Sequence, residues 1–525
     1  VGNHCCLLTG VFYFTVNPLQ TRQKSVVKLS VAISAAETSV FNYIREGVSA
    51  FRTFFLVSRA EKRHILAQNS GEDIAEIKAE AGEQVSVAEM LGAILTPHPP
   101  ILLPEVGRGQ EQKIAATGRA IGAAAEEVAK WRPDVLIVSS PHTVLYGDYF
   151  HIAPGRGAVG DMSAFGAPQV RIQVQYDVPL RDEIVSRAQA AGLRAGTLGQ
   201  RDPALDHGVL IPLYFLRKAG VESPIVRMGL SGFSPLEHYR LGRCVAEAAE
   251  ALGRRAVFVA SGDLSHKLKE NGPYGLAPEG PVFDEAVTKA MASGDFLQFL
   301  TMDPSLCERA AECGLRSFQM MAGALDDLAV EPRLLSHEGT FGVGYAVALF
   351  PVTGKDENRR FAAACEQAQR ARMEARRARE DPWVRLARLS LETYVRTRRR
   401  LESLPDDLPH ELTGQTAGAF VSLHVSGRLR GCIGTIAPTQ VNVAREIMEN
   451  AVSAGTRDPR FPPVQVGELD ELEYSVDVLG EPERVDSPAQ LDPKKYGVIV
   501  SCGQRRGLLL PDLEGVDTVE QQIDI

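Results

Sequence analysis

Cysteine is scarce in this chain: 8 residues among 525, at positions 5, 6, 244, 307, 313, 365, 432 and 502, and no two of them form a CxxC pair. That excludes a disulfide scaffold and makes a zinc ribbon a poor reading; a reducing, cytoplasmic setting is the expectation. Basic residues are not in excess. Lys+Arg is 57 against 66 Asp+Glu, a formal charge of -9, which makes the chain a poor candidate for the dense basic face that phosphate binding requires, and no nucleic-acid partner is expected. No apolar run reaches the roughly 18 residues that a membrane span requires, so no membrane partner is expected either. What is there is ordinary globular material, 44% hydrophobic and 23% charged, enough for about three domains of roughly 150 residues.

The first ninety residues stand apart. Cys5 to Val16 is apolar and about as long as a signal-peptide h-region, yet it lacks a basic flank and a small-residue cleavage site. Met90 directly precedes a strong strand, LGAILTP. Residues 1–89 therefore read as a non-native or poorly ordered extension, with the natural domain starting at Met90. The alternative is a small helical appendage, since Glu37 to Leu66 has some helical character.

From Met90 to about Pro351 strands and helices alternate. Leu91–Thr96, Asp134–Ser139, Pro224–Met228 and Ala256–Ala260 read as buried strands, and Val170–Gln175, Arg333–Ser336 and Val343–Phe350 as further ones. Glu111–Lys130, Leu180–Ala191 and Pro235–Leu252 read as helices, with more between Pro281 and Ala329. The pattern predicts an α/β domain with a mixed, mostly parallel sheet flanked by helices.

In such sheets ligands bind beyond the carboxyl ends of the strands. Histidine is only 11 of 525 residues, yet the predicted strand ends read TPHPP, SSPH, SGDLSH and SHEG. They carry His98, His142, His266 and Glu338. Asp206-His207-Gly208 follows as a fifth candidate, read as a loop before an apolar stretch. Two imidazoles and one carboxylate on one side of a metal leave positions open for substrate and O2, as in non-haem Fe(II) oxygenases. His98, His142 and Glu338 are accordingly the expected metal ligands, with His337 a competitor one residue away. His266 is left free to move protons, and His207 is placed on the substrate side as a hydrogen-bond donor.

TPHPPILLPEVG, VSSPHT, LDHGVLIPLYFL, SGDLSHKL and SHEGTFGVGYAVALF together resemble the class III extradiol ring-cleavage dioxygenases of the LigB type, over residues 91–351. The resemblance implies Fe(II) held by His98, His142 and Glu338, acid–base catalysis by His266, and His207 against the substrate. It also implies opening of a catechol or phenolic ring with O2. A nearby branch, MEMO, uses a cysteine in its metal set; here Glu338 stands at the carboxylate position.

Residues 353–381 are rich in Arg, Glu and Ala and end at Pro382, so they predict a charged helical linker. Residues 382–525 form the third region. GAFVSLHVSGRLRGCIGT, RDPRFPP and GLLLPDLEGV resemble an AMMECR-one domain, which implies a smaller α+β fold. The region is expected to stop short at its C-terminus, inside a helix. Cys432, in a glycine-flanked turn, is weighed as a thiol nucleophile against a small packed hydrophobe. The two-domain arrangement resembles the AmmeMemoRadiSam system, so the alternative to a dioxygenase is a metal-binding or partner-binding component that works with a radical SAM protein. A homo-oligomer is compatible with either.

Overall fold

The computed structural model describes residues 10–15 and 90–525, except 202–203, 426–427, 486, 503–504, 512 and 514–515. Strand β1 spans Gly10–Thr15, β2 Met90–Thr96, helix α1 Ala115–Trp131 and strand β3 Val135–Ser140. A hairpin, β4 (Gly157–Met162) and β5 (Ala167–Gln175), precedes helix α2 (Val178–Ala190). Then come helix α3 (His207–Lys218), β6 (Ile225–Gly229), α4 (Pro235–Ala251), β7 (Ala256–Ser261), α5 (Glu279–Ser293) and α6 (Leu315–Ala324). Three strands, β8 (Leu328–Val330), β9 (Arg333–Glu338) and β10 (Tyr345–Lys355), complete the domain.

The central sheet runs β8-β10-β2-β7-β3-β6, with β9 paired on β10. β2, β7, β3 and β6 are parallel, and β10 runs antiparallel to β2, β8 and β9. The expected mixed, mostly parallel sheet is what forms. Its inner strands are apolar up to their hydroxyl-bearing last residues, because both faces are covered. Alternate residues go to opposite faces: Leu95, Ile137 and Phe258 pack with α2, α4 and α6, and Ile94, Val138 and Val259 with α1 and α3. One strand expectation needs refining. Val170–Gln175 is a strand, but it pairs with β4 in a separate hairpin. Its alternating exposure fits a ribbon covered on one side only.

Helix α7 (Ala362–Arg377) occupies the expected linker. It is not simply solvated: Cys365 is fully buried in the α/β core, and Arg376 and Arg377 reach Glu473 and Asp470 beyond it. Helix α8 (Pro382–Thr397), strands β11 (Ala419–Val425) and β12 (Arg428–Gly434), helix α9 (Val443–Thr456) and strand β13 (Leu472–Val478) follow. They make a three-stranded antiparallel sheet, β12-β11-β13, with α8 and α9 packed on it. This is the smaller α+β domain that was expected. A second sheet is built from β14 (Glu483–Val485), β15 (Tyr496–Cys502) and β16 (Arg505–Leu509), and β1 lies between β14 and β15. Of the expected extension, then, residues 10–15 are a strand of this sheet, and the segment 37–66 lies outside the described residues. Among the described residues no helix is long and apolar enough to cross a membrane.

Candidate metal centre

The carboxyl ends of β2, β3 and β7 lie side by side, in register at Thr96 with Ser261 and Ser139 with Ala260. The residues just beyond them must therefore meet. His98 and His142 approach with their Nε2 atoms 3.0 Å apart. His207 joins them, its ring centroid 4.0 Å from that of His142 and 5.5 Å from that of His98. One ring nitrogen from each of the three lies within 4.8 Å of the others.

His207 is the first residue of α3, not a loop residue. The Asp206 side chain caps the helix by accepting from Val209 N–H at 3.1 Å, and it also accepts from Ser140 Oγ and Thr143 Oγ1 at 2.6 and 2.7 Å. One carboxylate thus ties the start of α3 to the loop that carries His142. The Asp-His-Gly sequence ahead of an apolar run was itself a capping signal.

The tautomer of His98 follows from its surroundings. Ser261 Oγ donates its only proton to the Gly208 carbonyl at 2.6 Å. Toward His98 Nδ1, 3.0 Å away, Ser261 can only accept. His98 therefore carries its proton on Nδ1 and presents a bare Nε2 to the cluster, the arrangement that metal-ligating histidines use. Burial, with His142 beside it, pushes the His98 pKa down to about 3; burial and His142 take His207 down to about 4. Both rings are neutral near pH 7, as ligation requires. With metal–nitrogen bonds of about 2.1 Å, two nitrogens 3.0 Å apart subtend roughly a right angle at an ion. The donor set fits a divalent metal.

Glu338 does not join this group. It ends β9, two strands out from β2 through β10, a lateral offset of about 10 Å. Its Oε2 accepts from the backbone N–H and Oγ1 of Thr117, at 2.7 and 2.6 Å, on α1. The expected ligand is turned toward a helix and fastens β9 to it. Its neighbour His337 is likewise engaged, 2.8 Å from the buried carboxylate of Asp284.

Two residues that the sequence reading passed over stand nearer. Asp263 accepts from His98 N–H at 2.9 Å and brings Oδ2 to 3.9 Å from His98 Nε2. Burial raises its carboxyl to about 6. Cys313 places Sγ 3.8 Å from His98 Nε2, and burial, with Asp263 beside it, holds that thiol well above its ordinary range. Gly262 and Gly314 bring the two loops together: a Cβ on Gly262 would overlap the Cα of Gly314. The signal for Asp263 was its place within the SGDLSH turn. Cys313, fifty positions on, carried none until the fold closed.

His266 is half-buried at the edge of the group. Burial lowers its pKa against the opposing pull of Asp263. Its ring stacks on Tyr274, centroids 5.1 Å apart at 24°. Its backbone N–H donates to Ala310 at 3.1 Å, and the adjacent Ser265 N–H donates to Asp284 at 2.8 Å, so the loop is pinned where the imidazole stands. A cavity of about 1170 Å3 opens at the opposite, amino-terminal end of the sheet, against Met90, Trp131 and Lys355, and reaches none of these histidines.

In the second domain, Cys432 is half-buried. Its Sγ accepts from Ser422 Oγ at 3.1 Å, and its N–H donates to Asp458 at 2.8 Å. Burial pushes the thiol up, which favours the packed thiol over a nucleophile.

Two families account for most of the chain. Residues 92–348 match the catalytic LigB subunit of aromatic ring-opening dioxygenase, and residues 384–525 match AMMECR1. Protein CA_C1420 of Clostridium acetobutylicum is 40% identical over 450 residues, which cover 83% of this chain and 94% of that protein. A Thermotoga maritima protein is 56% identical over 148 residues, 28% of this chain and 84% of that one. Among solved structures, the uncharacterized protein JW3007 from Escherichia coli K12 aligns with 49% of this chain and 99% of its own, at 17% identity and a TM-score of 0.31.

Proposed function

Because the chain belongs to the family that joins a LigB dioxygenase-type domain to an AMMECR1 domain, we propose that it is an Fe(II)-dependent dioxygenase acting on a catechol or phenolic compound. The observation that carries this is the pair of Nε2 atoms of His98 and His142, 3.0 Å apart with the His98 tautomer set by Ser261. His98, His142 and His207 would hold the ion. When bound, iron supplies the electron transfer between ring and O2 that protein side chains cannot.

The chain's own residues do the rest. Asp263 and Ser261 fix His98 from its backbone and its Nδ1, while Asp206 sets His207 at the helix start. His266, its pKa lowered by burial, is neutral near pH 7. It takes the proton of a substrate hydroxyl at a ring nitrogen and returns it as the ring opens. Tyr274 covers one face of that imidazole.

The test is oxygen uptake by the anaerobically iron-loaded protein with a panel of catechols. Uptake abolished in His266→Ala supports the reading, and turnover that continues without O2 overturns it. A second reading has one observation in its favour. Glu338 is engaged by Thr117 while Cys313 and Asp263 lie beside His98, a departure from the two-histidine, one-glutamate set. On that reading the centre serves another metal reaction, or a partner such as a radical SAM protein, and no catechol drives O2 uptake.

A further inference from the structure

Two exposed aromatic rings lean on histidines of the candidate site, one on His207 and one on His266 at its edge. Phe165 is 39% exposed and Tyr274 59% exposed. Phe165 sets its ring edge-on to His207, centroids 5.3 Å apart at 66°. Tyr274 stacks nearly flat on His266. They come from unrelated parts of the chain: Phe165 from the turn joining β4 to β5, Tyr274 from the loop between β7 and α5.

Neither ring belongs to a hydrophobic core cluster; each instead spends its contact on a histidine of the candidate site. Nor are they on loose loops. The Tyr274 turn is closed by Gly272 N–H to the Lys269 carbonyl at 2.9 Å. It rests directly on Gly342, where a Cβ would press on the Cα of Gly272. Phe165 sits in a single 3-10 turn between hydrogen-bonded strands.

We infer that Phe165 and Tyr274 are the specificity-determining walls of the substrate site, gripping a flat aromatic ring by its faces and edges while the imidazoles and the ion take its oxygens. The inference rests on the proposed reading of the site and adds which residues select the ring. Aromatic contacts prefer offset or edge-to-face arrangements at centroid distances of about 4.5–7 Å, the range in which both rings already meet the imidazoles.

The experiment is a titration of the full chain, loaded with Zn(II) to prevent turnover, with 4-nitrocatechol followed by its visible absorption. Phe165→Ala and Tyr274→Ala are each expected to weaken binding by about 5- to 10-fold, with metal content unchanged. Tyr274→Phe, which keeps the stacked ring, should bind as the wild type does. Both residues are exposed, so each variant should fold, and melting temperatures within about 3 °C of wild type would verify it. Ala variants that bind within twofold of wild type overturn this inference and leave the metal centre standing. A metal-loaded wild type that binds no catechol overturns the parent reading and this one with it.

Discussion

Ser261→Ala removes one oxygen atom and should weaken the whole centre. The hydroxyl is fully buried, donates to the Gly208 carbonyl at 2.6 Å and accepts from His98 Nδ1 at 3.0 Å. Without it, a buried carbonyl and a buried imidazole N–H lose their partner, at a cost of about 1–3 kcal/mol in stability. The larger consequence is for the metal. The freed ring can rotate and can move its proton to Nε2, and loss of such an outer partner typically lowers metal affinity by about 10- to 100-fold. Chelator competition with Zn(II) would measure this, and Ser139→Ala is the control. Ser139 is equally buried on the adjacent strand, but its hydroxyl pairs with Ser317. Both variants should lose comparable stability, and only Ser261→Ala should lose metal affinity. Equal affinities in the two variants would refute the tautomer argument.

Other outcomes follow from the same geometry. Glu338→Gln should leave metal content unchanged while lowering the melting temperature, because its carboxylate binds Thr117 and not the ion; a metal-free Glu338→Gln protein would restore the glutamate to the ligand set. Asp206→Ala removes a helix cap and the tie to Ser140 and Thr143, so it should cost about 1–2 kcal/mol in denaturant unfolding and weaken metal binding through His207. The pH dependence of the metal-free protein has a definite sign. His98 at about 3 and His207 at about 4 refuse protons that the unfolded chain accepts below roughly 6.5. Asp263, raised to about 6, opposes them between that value and roughly 3.9. The unfolded state thus binds about one proton more. Stability should be level above about pH 7 and fall on acidification from roughly 6.5 to 4 by at most about 1.4 kcal/mol per unit, less for solvent screening of the part-exposed His207. Denaturant unfolding at pH 7.5, 6 and 5 would measure it, and stability that rises over that range would contradict the assignment.

Much of the fold could be read in the sequence because buried parallel strands are unbroken apolar runs, and their ends are marked by the polar residues that follow. SSPH after VLIV and SGDLSH after AVFVA fixed where β3 and β7 stop, and with them the edge where His142 and His266 stand. What stayed hidden depends on side-chain direction and on long-range closure. Glu338 lies at the correct end of the sheet, yet two strands separate it from β2, and Thr117 on α1 claims its oxygen. Cys313 reaches His98 only because two glycines let its loop cross that of Asp263. The burial of Cys365, with Phe361 and Ala362 packed beside it, shows how an Arg-rich helix can pass for a solvated linker when only its first turn is apolar and anchored.

An ion shared by His98, His142 and His207 would be lost with either of the first two rings. Elemental mass spectrometry of the purified full chain, loaded with Fe(II) under anaerobic conditions and desalted, measures this alongside His98→Ala and His142→Ala. The expected result is close to one iron per wild-type chain and almost none in either variant. Equal iron in all three proteins would contradict it.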